Sequence, residues 1–148
     1  MLDLGTLAVL LVAVYGVGKR LVRAVPFADG GEEAIAASVT QAAAAREPLL
    51  VQGNGSKLPM LRPVQAARAI SLRGHAGITL YSPKELIISA KAGTPLPVIE
   101  AALAEKGQHL IAEPPNLAVL MGSSSGPQTI GGVVASGLSG PGRFRYGG

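Results

Sequence analysis

The chain has 148 residues, 48% of them apolar and 15% charged, with 20 Gly, 11 Pro, no Cys, no Trp and only 3% aromatics; that is the size of one domain, apolar enough for a core of Ala, Val, Leu and Ile. Zero Cys excludes disulfide scaffolds, thiolate metal sites and cysteine catalysis within these residues, and two histidines, His75 and His109, leave little for a histidine metal site. The net charge of +4 comes from 13 basic and 9 acidic residues without a Lys/Arg run or an aromatic stacking platform, which argues against nucleic acid as a partner.

Residues 4–18 carry no charge and are followed by Lys19 and Arg20. The run is shorter than the roughly 20 residues of a spanning helix, and no basic region precedes it as in a secretory signal. Residues 1–24 therefore read either as an extension or buried helix, or as a short membrane anchor with its basic flank in the cytoplasm. From residue 25 onward the pattern is that of a mixed helix-and-strand domain. Asp29 is placed to cap a helix with Glu32 and Glu33 in its first turn, Ile35, Val39 and Ala42 at helical spacing, Arg46 in its last turn and Pro48 as its end. Residues 48–51 read as a buried strand that opens into Gly53-Asn54-Gly55-Ser56-Lys57, and Pro59 and Pro63 keep a helix from starting directly afterwards. Further strands are expected at 69–72, 77–81 and 86–91, with Ser82 and Glu85 in a turn. Thr94 is the expected cap of the clearest helix, which has Pro95 at its first position, Val98, Ile99, Ala102 and Leu103 as its apolar face and Gly107 at its stop. Residues 109–111 read as a last strand before Glu113-Pro114-Pro115.

Glycine marks the segments that carry candidate chemistry, and nine of the twenty fall in residues 121–148. Residues 53–57 follow a strand, so their backbone N–H groups are able to face an anion, with glycine removing the Cβ that would block approach; the other reading is a plain Asn-Gly turn. The spacing fits neither the dinucleotide fingerprint nor the Walker A loop. Gly122-Ser123-Ser124-Ser125-Gly126 spells a nucleophile-elbow motif, but Pro127 follows where an elbow needs a helix, and neither histidine has a partner suggested by sequence. Gly131-Gly132, between Ile130 and Val133-Val134, puts bare backbone inside an apolar segment, so either another element or a ligand comes close to the main chain there.

These segments taken in order, with Arg73-Gly74-His75-Ala76-Gly77, the Lys91-Ala92-Gly93-Thr94-Pro95 turn and the helix after it, Glu113-Pro114-Pro115, and the run from Thr129 through Ser139-Gly140-Pro141 to Arg145-Tyr146-Gly147, resemble the FAD-binding subunits of bacterial glycolate oxidases. That group belongs to the flavoproteins typified by p-cresol methylhydroxylase and vanillyl-alcohol oxidase. The resemblance covers residues 48–148 and implies an α+β fold, a p-cresol-methylhydroxylase-type FAD-binding domain over 25–148 that is truncated at its C-terminus. It implies that Gly53, Asn54, Gly55, Ser56 and Lys57 wrap the FAD pyrophosphate and that Thr129, Ile130, Gly131 and Gly132 lie along the diphosphate and flavin. Gly93 and Pro115 would lie near the same cofactor, and Ser136, Gly137 and Tyr146 close to the flavin. Ser56 stands where many relatives carry a histidine bonded to the flavin, which implies non-covalent FAD.

The function so implied is the FAD-binding part of a flavin-dependent 2-hydroxy-acid (glycolate) oxidase or dehydrogenase subunit, in which hydride passes from the substrate α-carbon to the flavin. The implied partners are a second flavoprotein subunit and an iron–sulfur subunit. The implied place is the cytoplasm, peripheral to the inner membrane or anchored in it through residues 4–18. Catalytic residues stay unassigned, and turnover by this piece alone is not expected. The alternative is a truncated, non-catalytic module for FAD binding or assembly.

Overall fold

The computed structural model describes residues 31–60, 62, 65–118, 120–122 and 126–146, together with the backbone of residues 23–24. The expected apolar segment at 4–18, the Asp29 cap and the serines of the elbow-like motif lie outside the described residues. The elements in chain order are β1 (Arg23–Ala24), α1 (Glu32–Ala44), β2 (Leu49–Gln52), a single 3-10 turn (Leu58–Met60), β3 (Arg68–Ser71), β4 (Ile78–Ser82), β5 (Ile87–Ala90), α2 (Leu96–Ala104), α3 (Ile130–Ser136) and α4 (Arg143–Tyr146). The fold is α+β, as the sequence suggests.

A parallel three-stranded sheet in the order β1-β3-β2 forms the base, with Leu50 opposite Ala69 and Gln52 opposite Ser71. Its central strand β3 buries Ala69 and Ile70. Arg68 at the head of β3 ties the sheet to the end of α1, pairing with Glu47 at 2.7 Å and donating to Gln41 Oε1. β4 and β5 form a separate antiparallel hairpin, closed by a turn in which Glu85 N–H donates to Ser82 O, the turn expected there.

Several elements differ from the sequence expectation, each for a local reason. α1 starts after Gly31, which supplies no side-chain cap, and it ends at Ala44 rather than at Pro48. Arg46 turns left-handed (φ 53°) past the end of the helix, and the amides of Arg46 and Glu47 close back on the carbonyls of Ala43 and Ala42, so a C-terminal Schellman turn stops the helix before the proline is reached. α2 begins at Leu96, and Thr94 does not cap it. The Thr94 hydroxyl instead accepts from Gly77 N–H at 2.9 Å and donates to Lys91 O at 2.6 Å, while Leu96 N–H finds its acceptor in Gln128 O. The buried stripe of α2 is Leu96, Ile99 and Leu103, and Val98, expected in it, is 49% exposed. Gly107 stops this helix as expected, with φ 66°. Residues 109–111 form no strand. Glu113 N–H turns back on Leu110 O, and among the described residues no neighbouring strand offers them a ladder.

The largest difference is α3. The sequence shows two adjacent glycines in an apolar run; the structure shows a two-turn helix capped by Thr129 Oγ1, which accepts from Gly132 N–H, and closed by Gly137 in the left-handed region. Its first turn is moored to the loop before α2: Ile130 N–H donates to Thr94 O and Gly131 N–H to Ala92 O, each at 2.9 Å. Among the described residues, no helix is long and apolar enough to cross a membrane, and no group of three or more His, Asp or Glu could hold a metal ion.

Candidate functional site

At the C-terminal end of parallel strand β2 the chain leaves the sheet, the position where parallel sheets expose loops to ligands. Gln52 O still accepts from Leu72 N–H; beyond it the loop 53–57 arches away and returns through the 3-10 turn, where Leu58 N–H donates to Gly55 O and Met60 N–H to Lys57 O. Gly55 takes φ 70°, a conformation glycine adopts without strain. Among the described residues, none of the amides of Gly53, Asn54, Gly55, Ser56 and Lys57 donates to a carbonyl or side chain. Five successive main-chain donors thus find no acceptor among the described residues.

Across from this loop lies one face of α3. Gly132, Ala135 and Ser136, at i, i+3 and i+4, share a stripe of small residues, and loop and stripe together enclose a groove of about 230 Å³. Thr129 forms the seam at its base: a Cβ on Gly53 would overlap the Thr129 side chain, so glycine lets β2 and α3 meet. The two glycines of α3 divide between the readings left open by the sequence. A Cβ on Gly131 would sit 2.8 Å from Ala92 O, an internal contact, whereas a Cβ on Gly132 would meet only Thr129 Oγ1, at 3.4 Å, and would otherwise project into the groove.

Lys57 supplies the charge. Its Nζ donates to Gln128 Oε1 at 2.8 Å, and burial holds its pKa below the ordinary lysine value. Ser56 is buried beside it, 7% exposed, and the Asn54 side-chain amide donates to Pro127 O. Gln52 Oε1 is buried at the groove wall without a partner.

Of the residues expected near a cofactor, Gly53, Asn54, Gly55, Ser56, Lys57, Thr129, Gly132 and Ser136 come together around the groove. The others lie elsewhere. Gly93 packs its backbone against the carbonyls of Leu72 and His75, and Ile130 and Gly131 moor α3. Gly137 closes that helix, Pro115 is half-buried in the loop after α2, and Tyr146 is half-exposed on α4 beneath the Arg145 guanidinium. Gln52 and Ala135 line the groove and Gln128 reaches it through Lys57, and none carries a sequence signal of its own; Gln128 directly precedes the cap residue Thr129, the one hint at its place.

A family model described as an FAD binding domain matches residues 30–148. The chain belongs to that FAD-binding family. Glycolate oxidase subunit GlcE of Escherichia coli (strain K12) is 44% identical over 111 residues, which is 75% of this chain and 29% of that subunit. The chain therefore spans less than a third of the length of this relative. No solved structure matches it. The groove fits an FAD-binding domain: amides without a partner among the described residues and an ammonium suit phosphate, the buried Gln52 Oε1 lacks a donor, and the bare Gly132 backbone admits a close ligand. Its volume is below the roughly 300–1,000 Å³ of complete small-molecule sites.

Proposed function

We propose that this chain supplies the FAD-binding part of a flavin-dependent 2-hydroxy-acid oxidase or dehydrogenase subunit, with glycolate as the substrate suggested by the relative. The observation that carries the reading is the groove between the amides of residues 53–57, unpaired among the described residues, and the Gly132 face of α3, inside a chain that belongs to an FAD-binding family. Bound FAD would supply the redox chemistry, taking hydride from the substrate α-carbon. The chain's own residues do the holding. Amides 53–57 and the Lys57 ammonium neutralise phosphate, Gly132 and Ala135 leave room for a flat or extended group, and Ser136 and Thr129 border it.

FAD is held without a covalent bond, since Ser56 offers no imidazole to the flavin. Of the remaining residues of the resemblance, Gly93, Ile130, Gly131 and Gly137 act on the cofactor through the backbone they shape, and Pro115 and Tyr146 complete its surroundings. The domain starts before the expected residue 25, because β1 (Arg23–Ala24) pairs with β3 in its sheet; it extends over residues 23–148, with 1–22 a separate segment. The partners are a second flavoprotein subunit and an iron–sulfur subunit, at the cytoplasmic side of the inner membrane. A second reading, an FAD-binding or assembly module without turnover of its own, draws support from the groove wall, where Lys57 is the one ionisable side chain among the described residues.

The test is direct. Purified protein is expected to be yellow or to take up FAD on titration, with all flavin released into the supernatant by acid. A colourless protein that gains no flavin overturns the proposal, and flavin retained in the acid pellet overturns the non-covalent attachment. Anaerobic bleaching by glycolate separates the oxidase from the binding module.

A further inference from the structure

Gln128 is 5% exposed and links three segments. Its Oε1 accepts from Lys57 Nζ at 2.8 Å, its Nε2 donates to Pro114 O at 3.3 Å, and its backbone carbonyl accepts from Leu96 N–H at 2.8 Å. An ammonium only donates and a prolyl carbonyl only accepts, so the side chain between them must present one acceptor and one donor. Glutamine does this while staying neutral. Among the described residues no carboxylate pairs with Lys57; the one ion pair there joins Arg68 to Glu47. A fully buried lysine is almost never left unpaired, and a carboxylate partner cancels its charge. Here the partner orients the ammonium and leaves its charge uncancelled at the edge of the groove.

We propose that Gln128 is a positioning residue that aims an uncompensated Lys57 ammonium at the phosphate of the bound cofactor, and that its neutrality is what makes the groove selective for a phosphate-bearing ligand. This rests on the FAD-binding reading above. The lowered pKa of Lys57 agrees with a cation that burial disfavours and no anion relieves.

The experiment measures FAD affinity by flavin fluorescence in the full chain for wild type, Gln128→Glu, Gln128→Met and Lys57→Met, and for both glutamine variants in the Lys57→Met background, with thermal unfolding of each to establish folding. Gln128→Glu turns the neutral contact into an ion pair and is expected to weaken FAD binding about tenfold. Gln128→Met keeps the lysine charge uncancelled but frees its orientation, and is expected to cost only a few-fold. In the Lys57→Met background Gln128→Met is expected to lower affinity no further, whereas the Glu carboxylate, then without its ammonium, repels the phosphate by itself. Equal losses for the Glu and Met variants, wild-type affinity in Gln128→Glu, or a loss for Gln128→Met that persists without Lys57 would overturn the proposal. Should Gln128→Glu fail to fold, the Gln128→Met pair with and without Lys57 decides it alone. Failure of the wild type to bind FAD is a different result, which removes the underlying reading.

Discussion

Gly131 and Gly132 are chemically identical neighbours with opposite surroundings. Gly131→Ala drives a methyl against Ala92 O and Cβ, at 2.8 and 2.9 Å, and is expected to destabilise the fold by about 1–3 kcal/mol, as overpacking does. Gly132→Ala meets only Thr129 Oγ1 at 3.4 Å, so it is expected to hold or raise stability by up to about 1 kcal/mol through the better helix propensity of alanine. It also fills the groove, and FAD affinity should fall. Thermal unfolding and FAD titration of the two variants separate fold from function; equal binding by Gly132→Ala and wild type would show that no ligand approaches that backbone. Lys57 adds a pH dependence. Its lowered pKa means that the ammonium form is lost earlier on raising pH than in an ordinary lysine, so ADP affinity should decline as pH rises through that value and be flat in Lys57→Met. Stability runs the opposite way: a folded pKa below the unfolded one makes the fold more stable above both values, and that increment is lost as pH falls from the unfolded pKa to the folded one. Calorimetric titration of ADP across the alkaline range checks the binding limb.

Between elements, the contacts that position the groove run through Thr94, which is 1% exposed. Its hydroxyl bonds Gly77 and Lys91, and its carbonyl holds the first amide of α3, so one residue joins the β4–β5 hairpin to the helix that walls the site. Thr94→Val keeps the shape and leaves the Gly77 N–H without its acceptor, while Lys91 O keeps the Thr94 N–H. A loss of about 1–3 kcal/mol, read by denaturant unfolding, is expected. Strands β2 to β5 were legible in the sequence because short apolar runs stand between Gly, Pro and Ser turns, and the loop 53–57 because Gly-Asn-Gly must turn. α3 was not legible, since paired glycines read as breakers and the helix is held by tertiary acceptors, Thr94 O and Ala92 O, that no local pattern encodes. The 109–111 strand was an apolar triplet without a partner strand. Gln128 was invisible for a related reason: its role is set by Lys57, 71 residues away.

At the scale of the whole molecule, the described residues bury few large side chains. Beside Ile70, Leu96, Ile99, Leu103 and Val133 the core is completed by Ala42 and Ala69, while Leu86, Leu120, Val134 and Phe144 stay more than 70% exposed. So small a core leaves stability close to the conformational entropy it must offset, and a ligand that binds only the folded chain then carries a large share of the total. The groove joins elements distant in sequence, β2 with its loop and α3, so a ligand held there needs both in place. Mass action gives the size: at a free concentration of 100 times the dissociation constant, FAD adds about 2.7 kcal/mol, and each further tenfold adds about 1.4 kcal/mol. Thermal midpoints should therefore climb with the logarithm of FAD concentration in the wild type. In Lys57→Met the same rise should be displaced to higher FAD concentration, because affinity and not the number of sites has changed. A midpoint indifferent to FAD at all concentrations would mean that loop and helix do not close on one ligand.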